Sequence, residues 1–320
     1  MHNNESGQPQ EVCPDTDQGE TDMAEATNGF VIRRMERSEL DFAVGLAAGE
    51  GWNPGLADAE AFWQADPEGF FLGLLDGRPV ATMSAVRYAD EAKSPHFGFV
   101  GLYIVVPELR GRGLGYRLWD AALGALAVPT IGLDAVLAQQ DNYRKSGFAT
   151  AMRNCRYQGN ALTPGSKVGG AMPAGLSPLA EFPLAEVLAY DRRCFPAQRE
   201  AFLRAWLGAP GHTALGLRRD GSLAGFGVVR PCGVGSKIGP LFADDDAAAH
   251  ALFHGLCQAV PASAKGGPVF LDVPVPHAGA VRLAEAHGMF PVFETVRMYR
   301  GPAPEIDLGR VFGVTTFELG

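Results

Sequence analysis

The stretch Gly101–Trp119, GLYIVVPELRGRGLGYRLW, decides the fold. Leu102–Val106 is an apolar run rich in β-formers and reads as a buried strand. Pro107–Gly115 is a turn with a glycine at every second position, Gly111, Gly113 and Gly115, and with Arg110 and Arg112 between them. From Tyr116 a helical pattern begins, with Leu118, Ala122 and Leu126 on one face. Strand, glycine loop and helix start in that order aim several backbone N–H groups at one point, where the helix dipole adds roughly half a positive charge. Glycine lets a phosphate approach the backbone and tolerates φ > 0. With Arg110, Arg112 and Arg117 around it, the loop reads as an anion site suited to a pyrophosphate.

No Gly-Lys-Ser/Thr follows, so this is not a Walker loop. A GxGxxG register from Gly111 would put its third glycine on Tyr116, although Asp134 follows where a ribose-binding acid would stand. A nicotinamide-dinucleotide oxidoreductase is therefore a distant alternative. The better match is Arg-x-x-Gly-x-Gly, here Arg110, Gly113 and Gly115, directly after a strand. It resembles the pyrophosphate loop of the GNAT acetyltransferases. The resemblance implies acetyl-CoA as co-substrate, held by Tyr103, Ile104 and Val105 of the strand and by Arg110, Gly111, Arg112, Gly113, Leu114 and Gly115. It also implies direct acetyl transfer to a primary amine, and Tyr143-Arg144-Lys145-Ser146-Gly147-Phe148 resembles the family's Tyr-x-x-x-Gly-Phe. There the tyrosine is the general acid, since a phenol beside the sulfur can protonate the departing thiolate. Two positions depart from the family. Val136 and Gln139 stand where an Asn-x-x-Ala would open the helix before Tyr143, and Phe99 stands where histone-type members carry a catalytic Glu. Candidate bases elsewhere are Glu50, His96 or an ordered water. Glu50-Gly51-Trp52-Asn53-Pro54-Gly55 lies where the family lines its acceptor site, so Trp52 and Asn53 are candidate substrate-binding residues and Glu50 a candidate catalytic one. The acceptor expected is a small-molecule amine or a protein lysine.

The rest of the chain agrees with that fold. Residues 1–28 hold seven acids and almost nothing apolar, and read as a disordered tail without a signal-peptide core. Phe30–Met35 alternates as a first strand. Ser38–Gly49 is helical, and Asp58 can cap a short helix carrying Phe62 and Trp63. Phe70–Leu75 and Val80–Tyr88 flank Asp76-Gly77, a hairpin signal. A turn is expected over Asp90–His96, and strands over Thr130–Val136 and Ala149–Tyr157. At 320 residues and 47% hydrophobic, the chain has room for two domains with real cores. A net charge of −9 argues against nucleic acid. Five scattered cysteines, none at metal-ligand spacing, and no long apolar run point to a cytoplasmic protein with no metal and no membrane span.

The second half repeats the first. Phe71–Ala81 matches Ala214–Ala224, both hairpins with Asp-Gly at the turn; Leu133-Asp134 matches Leu271-Asp272; and Tyr157 matches Tyr299. Such repetition implies tandem domains of one fold. The boundaries read as a catalytic domain over 29–159, a Gly/Pro/Ser-rich linker over 160–179 and a GNAT-like domain over 180–320. In the second copy the loop is Ala243-Asp244-Asp245-Asp246-Ala247, with no glycine and three carboxylates, and Ala284 takes the tyrosine's place. One acetyl-CoA per chain is expected. The fold class is α/β (α+β mixed sheet), each domain a mixed, mostly antiparallel sheet flanked by helices. Asp191 and Arg199 read as a structural ion pair. A non-catalytic acyl-CoA sensor is the alternative function, because the strand Glu is missing; oligomeric state is open.

Overall fold

The computed structural model describes residues 29–90, 93–160, 173–260 and 266–320. The acidic tail lies outside them, as does 161–172 of the linker. In the first half the strands are β1 (Phe30–Arg34), β2 (Phe70–Leu75), β3 (Arg78–Asp90), β4 (Lys93–Val105), β5 (Thr130–Val136) and β6 (Ala149–Asn160). Its helices are α1 (Leu40–Gly49), α2 (Asp58–Ala65), α3 (Leu114–Ala125) and α4 (Gln140–Lys145). The second half has β7 (Leu176–Pro178), α5 (Leu184–Cys194), α6 (Glu200–Gly208), β8 (Thr213–Arg219), β9 (Ser222–Pro231) and β10 (Ser236–Ala243). It continues with α7 (Asp246–Gln258), β11 (Pro268–Pro274), α8 (Ala278–Ala286), β12 (Phe290–Arg300) and β13 (Val311–Gly313). The element order is the one read from the sequence. The turn expected over Asp90–His96 is shorter, since β3 runs to Asp90 and β4 starts at Lys93.

Both Asp-Gly hairpins are built alike. Asp76 and Gly77 have φ 49° and 79°, and Asp220 and Gly221 have 51° and 83°. Two successive left-handed residues make a turn whose twist matches that of the strands.

The two halves do not keep separate sheets. One sheet runs β1-β2-β3-β4-β5-β12-β6-β11-β10-β9-β8-β7, with β13 on β10. Among the described residues only β4–β5 and β10–β11 are parallel; the other pairs are antiparallel. Each half therefore gives one strand to the other: β12 lies between β5 and β6, and β6 between β12 and β11. The repeats drawn at 29–159 and 180–320 are repeats of sequence, and the exchange crosses that line.

Buried ion pairs cross with the strands. Arg156 on β6 holds Asp272 on β11 through two bonds of 2.6 and 2.8 Å. Arg297 on β12 holds Asp134 on β5 through two of 2.8 and 2.6 Å. Burial alone would push the Asp272 carboxyl up; the Arg156 charge and hydrogen bonds, with the Lys237 and Arg230 charges, together outweigh it and hold it below the usual range. Asp134 and Asp272 are equivalent positions of the repeat, so the exchange is sealed twice by one device.

A third buried pair joins α2 to the second half. Asp58 does not cap its helix: the N-cap position is Ala57, and Asp58 is the first helical residue. Its Oδ2 accepts the Gly55 N–H at 2.8 Å, and Arg230 Nε lies 3.1 Å from Oδ1. His212 sits beside them, its Nδ1 2.8 Å from the Trp206 carbonyl, which fixes the proton on Nδ1. Burial first, and then the Arg230 charge, lower the His212 pKa from 6.5 to about 4. The unfolded chain therefore takes up a proton here before the folded one does. Stability from this site is complete above pH 6.5 and is lost as pH falls from 6.5 toward 4, by about 3 kcal/mol in full. Urea midpoints across that range should fall in the parent and flatten in His212→Asn; parallel curves would exclude His212 as the cause.

Candidate active site

The glycine loop folds as its composition requires. Val106 leaves β4, Pro107–Leu109 makes one 3-10 turn, and Gly113 is the N-cap of α3 with φ 75°. Gly111 also has positive φ, 74°. Gly115 is glycine for another reason: a Cβ there would lie 2.7 Å from the Tyr103 hydroxyl. The first turn of α3 thus packs directly on the side chain of β4. Arg110 Nε donates to the Val105 carbonyl at 2.9 Å, and its guanidinium pairs with Glu50. Arg112 is exposed at the loop. Arg117 turns away, donating to the Phe30 carbonyl at 3.3 Å and lying over the Phe30 ring.

Beside the loop, β4 and β5 part company. They pair from Phe97/Thr130 to Val100/Leu133, and β4 runs on alone on that side to Val105. Within the free stretch Met83 of β3 faces both Leu102 and Tyr103 of β4, a β-bulge, and Leu102 has φ 47°. Thr82 Oγ1 holds the Leu102 carbonyl at 2.8 Å. The opening between the strands is a cleft lined by Gly101, Leu102, Tyr103, Leu133, Val136 and Tyr143, with Trp52 at one side. Tyr143 is nearly buried, its ring 5.2 Å from that of Trp119, which in turn lies 5.4 Å from Tyr103. The short helix α4 therefore does bring Tyr143 to the cleft.

The far wall comes from the exchanged strands and the end of the second half. Arg156 of β6 reaches this cleft, together with Phe293 and Thr295 of β12 and Phe317 and Glu318 beyond β13. Arg156 Nη1 donates to the Trp52 carbonyl at 2.7 Å and so fixes Trp52 at the rim. Lys237 also points at that carbonyl, from 3.5 Å.

The other residues read from the sequence fall elsewhere. Glu50 is the ion-pair partner of Arg110 and lies in a neighbouring groove, which meets the cleft at Arg156 and Phe293. Its carboxylate positions the loop arginine. Asn53 has φ 52° and spends its amide on the second half, bonding the Val234 N–H and carbonyl, each at 2.9 Å. His96 is exposed at the start of β4. Sequence reasoning missed Arg156, Thr295 and Glu318. They reach the site only through the strand exchange and the segment after it, and the repeat pattern has no partner for residues 302–320.

A pyrophosphate-bearing thioester fits these residues. The loop offers a helix N-terminus whose glycines at 111 and 113 take positive φ, and the cleft beside it is mostly apolar. Comparison with known proteins agrees. A profile described as Acetyltransferase (GNAT) family matches residues 34–152, and one described as Acetyltransferase (GNAT) domain matches 187–313. The "Holothin acyltransferase" of Pseudoalteromonas sp. (strain SANK 73390) is 31% identical over 274 residues, 86% of this chain and 89% of that one. The chain belongs to the GNAT acyltransferase family. Two solved structures share the architecture. One from Pyrococcus horikoshii, assigned as an acetyltransferase, has a TM-score of 0.75 at 22% identity, covering 91% of this chain and 96% of its own. A tandem GNAT protein from the clavulanic acid biosynthesis pathway has 0.61 at 17%, covering 86% and 99%.

The second GNAT half has the same opening, already filled. β10 and β11 pair only from Ser236/Val269 to Ile238/Leu271, and β13 lies against β10 beyond that point. Val314 N–H bonds the Asp272 carbonyl at 2.9 Å, closing the slot from the β11 side. Gly239 and Gly313 permit the fit, since a Cβ at either would press on Thr315 or Leu271. At the helix start, Asp245 Oδ1 accepts the Ala248 N–H at 2.9 Å, and Arg219 pairs with the same carboxylate. The chain's own carboxylate thus takes the place at the helix N-terminus that an anion would need. Among the described residues no helix is long and apolar enough to cross a membrane.

Proposed function

We propose that this acyltransferase moves an acetyl group from acetyl-CoA to the primary amine of a small molecule, at one site per chain, in the first half. The observation that carries the reading is convergence: the glycine loop and the Tyr143-lined cleft meet through the Gly115–Tyr103 contact. The backbone of Arg110–Gly115 would hold the pyrophosphate, with Arg110 kept in place by Glu50. The β4–β5 cleft would take the thioester arm along Tyr103, Ile104 and Val105. Bound acetyl-CoA supplies an activated acetyl group with a thiol leaving group. Tyr143 gives a proton to the sulfur as the C–S bond breaks. The plugged second slot and its capped helix support a count of one.

The acceptor enters from the groove beside the cleft. Leu56, Val234 and Val292 line it as exposed apolar side chains, and Glu50 and Asp41 bring carboxylates. An amine on an apolar body suits that wall better than a solvated lysine tail. One relative is named a holothin acyltransferase, and holothin is a rational member of the first panel. The test is thiol release from acetyl-CoA across small amines and a lysine peptide. Tyr143→Phe should retain acetyl-CoA binding and lose at least about tenfold in kcat, within the range of general-acid effects. Unchanged turnover would remove Tyr143 from the chemistry.

A further inference from the structure

Residues Thr315–Gly320 are buried throughout and run from the plugged second slot to the cleft of the first. Three contacts fix their course. Arg199, itself held by Asp191 at 2.7 Å, donates to Thr315 Oγ1 at 2.8 Å. Leu319 N–H bonds Thr316 Oγ1 at 2.9 Å, and Tyr88 OH donates to the Leu319 carbonyl at 2.8 Å. Gly101 of β4 has no side chain because a Cβ would collide with the Glu318 carbonyl. The segment is therefore pressed against β4 at the start of the free stretch, with Glu318 lining the same cleft as Tyr143.

Glu318 is 3% exposed, and its Oε2 is buried with no hydrogen-bond partner among the described residues. A buried carboxylate oxygen left without a donor is costly. The charges around it are already engaged: Arg156 is held bidentately by Asp272, and Lys237 approaches the Trp52 carbonyl. Burial first, and then the Arg156 charge, lower the Lys237 pKa. Asp134, Tyr103 and Tyr143 also face this cleft. Of these groups, Glu318 is the carboxylate with an open acceptor oxygen; Asp134 is bound by Arg297.

We propose that Glu318 is the general base that receives the acceptor's ammonium and deprotonates it, the task that the strand position Phe99 cannot perform. This rests on the transferase reading above. The acceptor enters as R–NH3+, and Glu318 takes one proton and later releases it to solvent through the groove. The freed nitrogen lone pair forms the C–N bond to the thioester carbonyl as the C–S bond breaks. Tyr143 protonates the sulfur, and the second proton leaving nitrogen restores the phenol. The products are the amide, the CoA thiol and one proton to solvent.

Two probe amines of similar shape separate this role from a structural one: phenethylamine, an ammonium at pH 7, and aniline, neutral there. Glu318→Gln should keep acetyl-CoA Kd, by calorimetry, within about twofold of the parent, and weaken phenethylamine binding to the acetyl-CoA-free protein at least about tenfold, about 1.4 kcal/mol. Its kcat/KM for phenethylamine at pH 7 should fall at least about thirtyfold, with the deficit shrinking as pH rises, and that for aniline less than about threefold. Glu318→Asp should recover part of the loss. Equal losses for both amines at every pH, or no loss, would overturn the assignment, as would failure of Glu318→Gln to bind acetyl-CoA. If the unchanged protein binds acetyl-CoA and transfers to neither amine, the transferase reading fails and the base with it.

Discussion

Arg156→Met is expected to lower the stability of the whole chain by about 3–5 kcal/mol, the cost of leaving a buried charge without its partner. Arg156 is 4% exposed and Asp272 1%. The substitution strips Asp272 of both bonds from Arg156, leaves the Trp52 carbonyl to Lys237 alone and uncovers the Phe317 ring, over which the guanidinium lies at 5.1 Å. Asp272 would then be pushed toward its neutral form, because burial acts on it unopposed by that charge. The double variant Arg156→Met, Asp272→Leu should recover most of the loss, since a well-packed apolar pair can replace a buried ion pair at little cost. Urea denaturation followed by fluorescence and by far-ultraviolet circular dichroism measures both variants. The two probes should report one transition, because neither half closes its sheet without a strand from the other. A loss under about 1 kcal/mol in the single variant would show that the pair does not hold the exchange.

The fold was legible where local chemistry repeats. The Asp-Gly hairpins, the glycine loop and the Leu-Asp strands each carry their own signal, and the hairpins and Leu-Asp strands have a second copy that confirms the first. The strand exchange was not legible. β6 and β12 have the same period and the same closing Arg/Tyr/Gly chemistry, so either would sit beside β5 as far as pattern goes. The choice is made by Asp134 and Asp272, each matched to an arginine of the other half, and no window of neighbouring residues contains both partners. For the same reason Asp58 read as a helix cap: its partner Arg230 is far along the chain. Asp191 and Arg199 lie within one helix and its following loop, and their pairing was visible in advance.

The site divides on similar lines. Loop glycines answer to backbone geometry and can be read locally. Tyr143 follows from its spacing to Gly147-Phe148. Glu50 and Asn53 were placed in the right region; the partners the structure adds, Arg110 for one and Val234 for the other, lie too far along the chain to be read locally. Glu318 sits in Val311–Gly320, a largely apolar run with one acid near its end. That acid, in a stretch apolar enough to be buried, was the available signal.

Gly113→Asp should abolish most pyrophosphate recognition while leaving the thioester chemistry in place. The second half shows why. Its Asp245 accepts the Ala248 N–H at the start of α7 and leaves a negative charge where an anion would bind. An aspartate at Gly113 brings the same charge to the N-terminus of α3. Gly113 has φ 75°, a region that aspartate enters more readily than most residues, at about 1–2 kcal/mol. Acetyl-CoA Kd, by calorimetry, should rise at least about a hundredfold, about 2.7 kcal/mol. Gly113→Ala carries the backbone strain without the charge, and should raise Kd by a smaller factor. Acetyl-pantetheine has the thioester arm and no pyrophosphate, so its kcat/KM should stay within about twofold in Gly113→Asp if binding energy from the loop is separate from the chemical step. Equal losses with both donors would mean that the aspartate has deformed β4 and α3 through the Gly115–Tyr103 contact, and the loop would then be a structural turn and not the anion site.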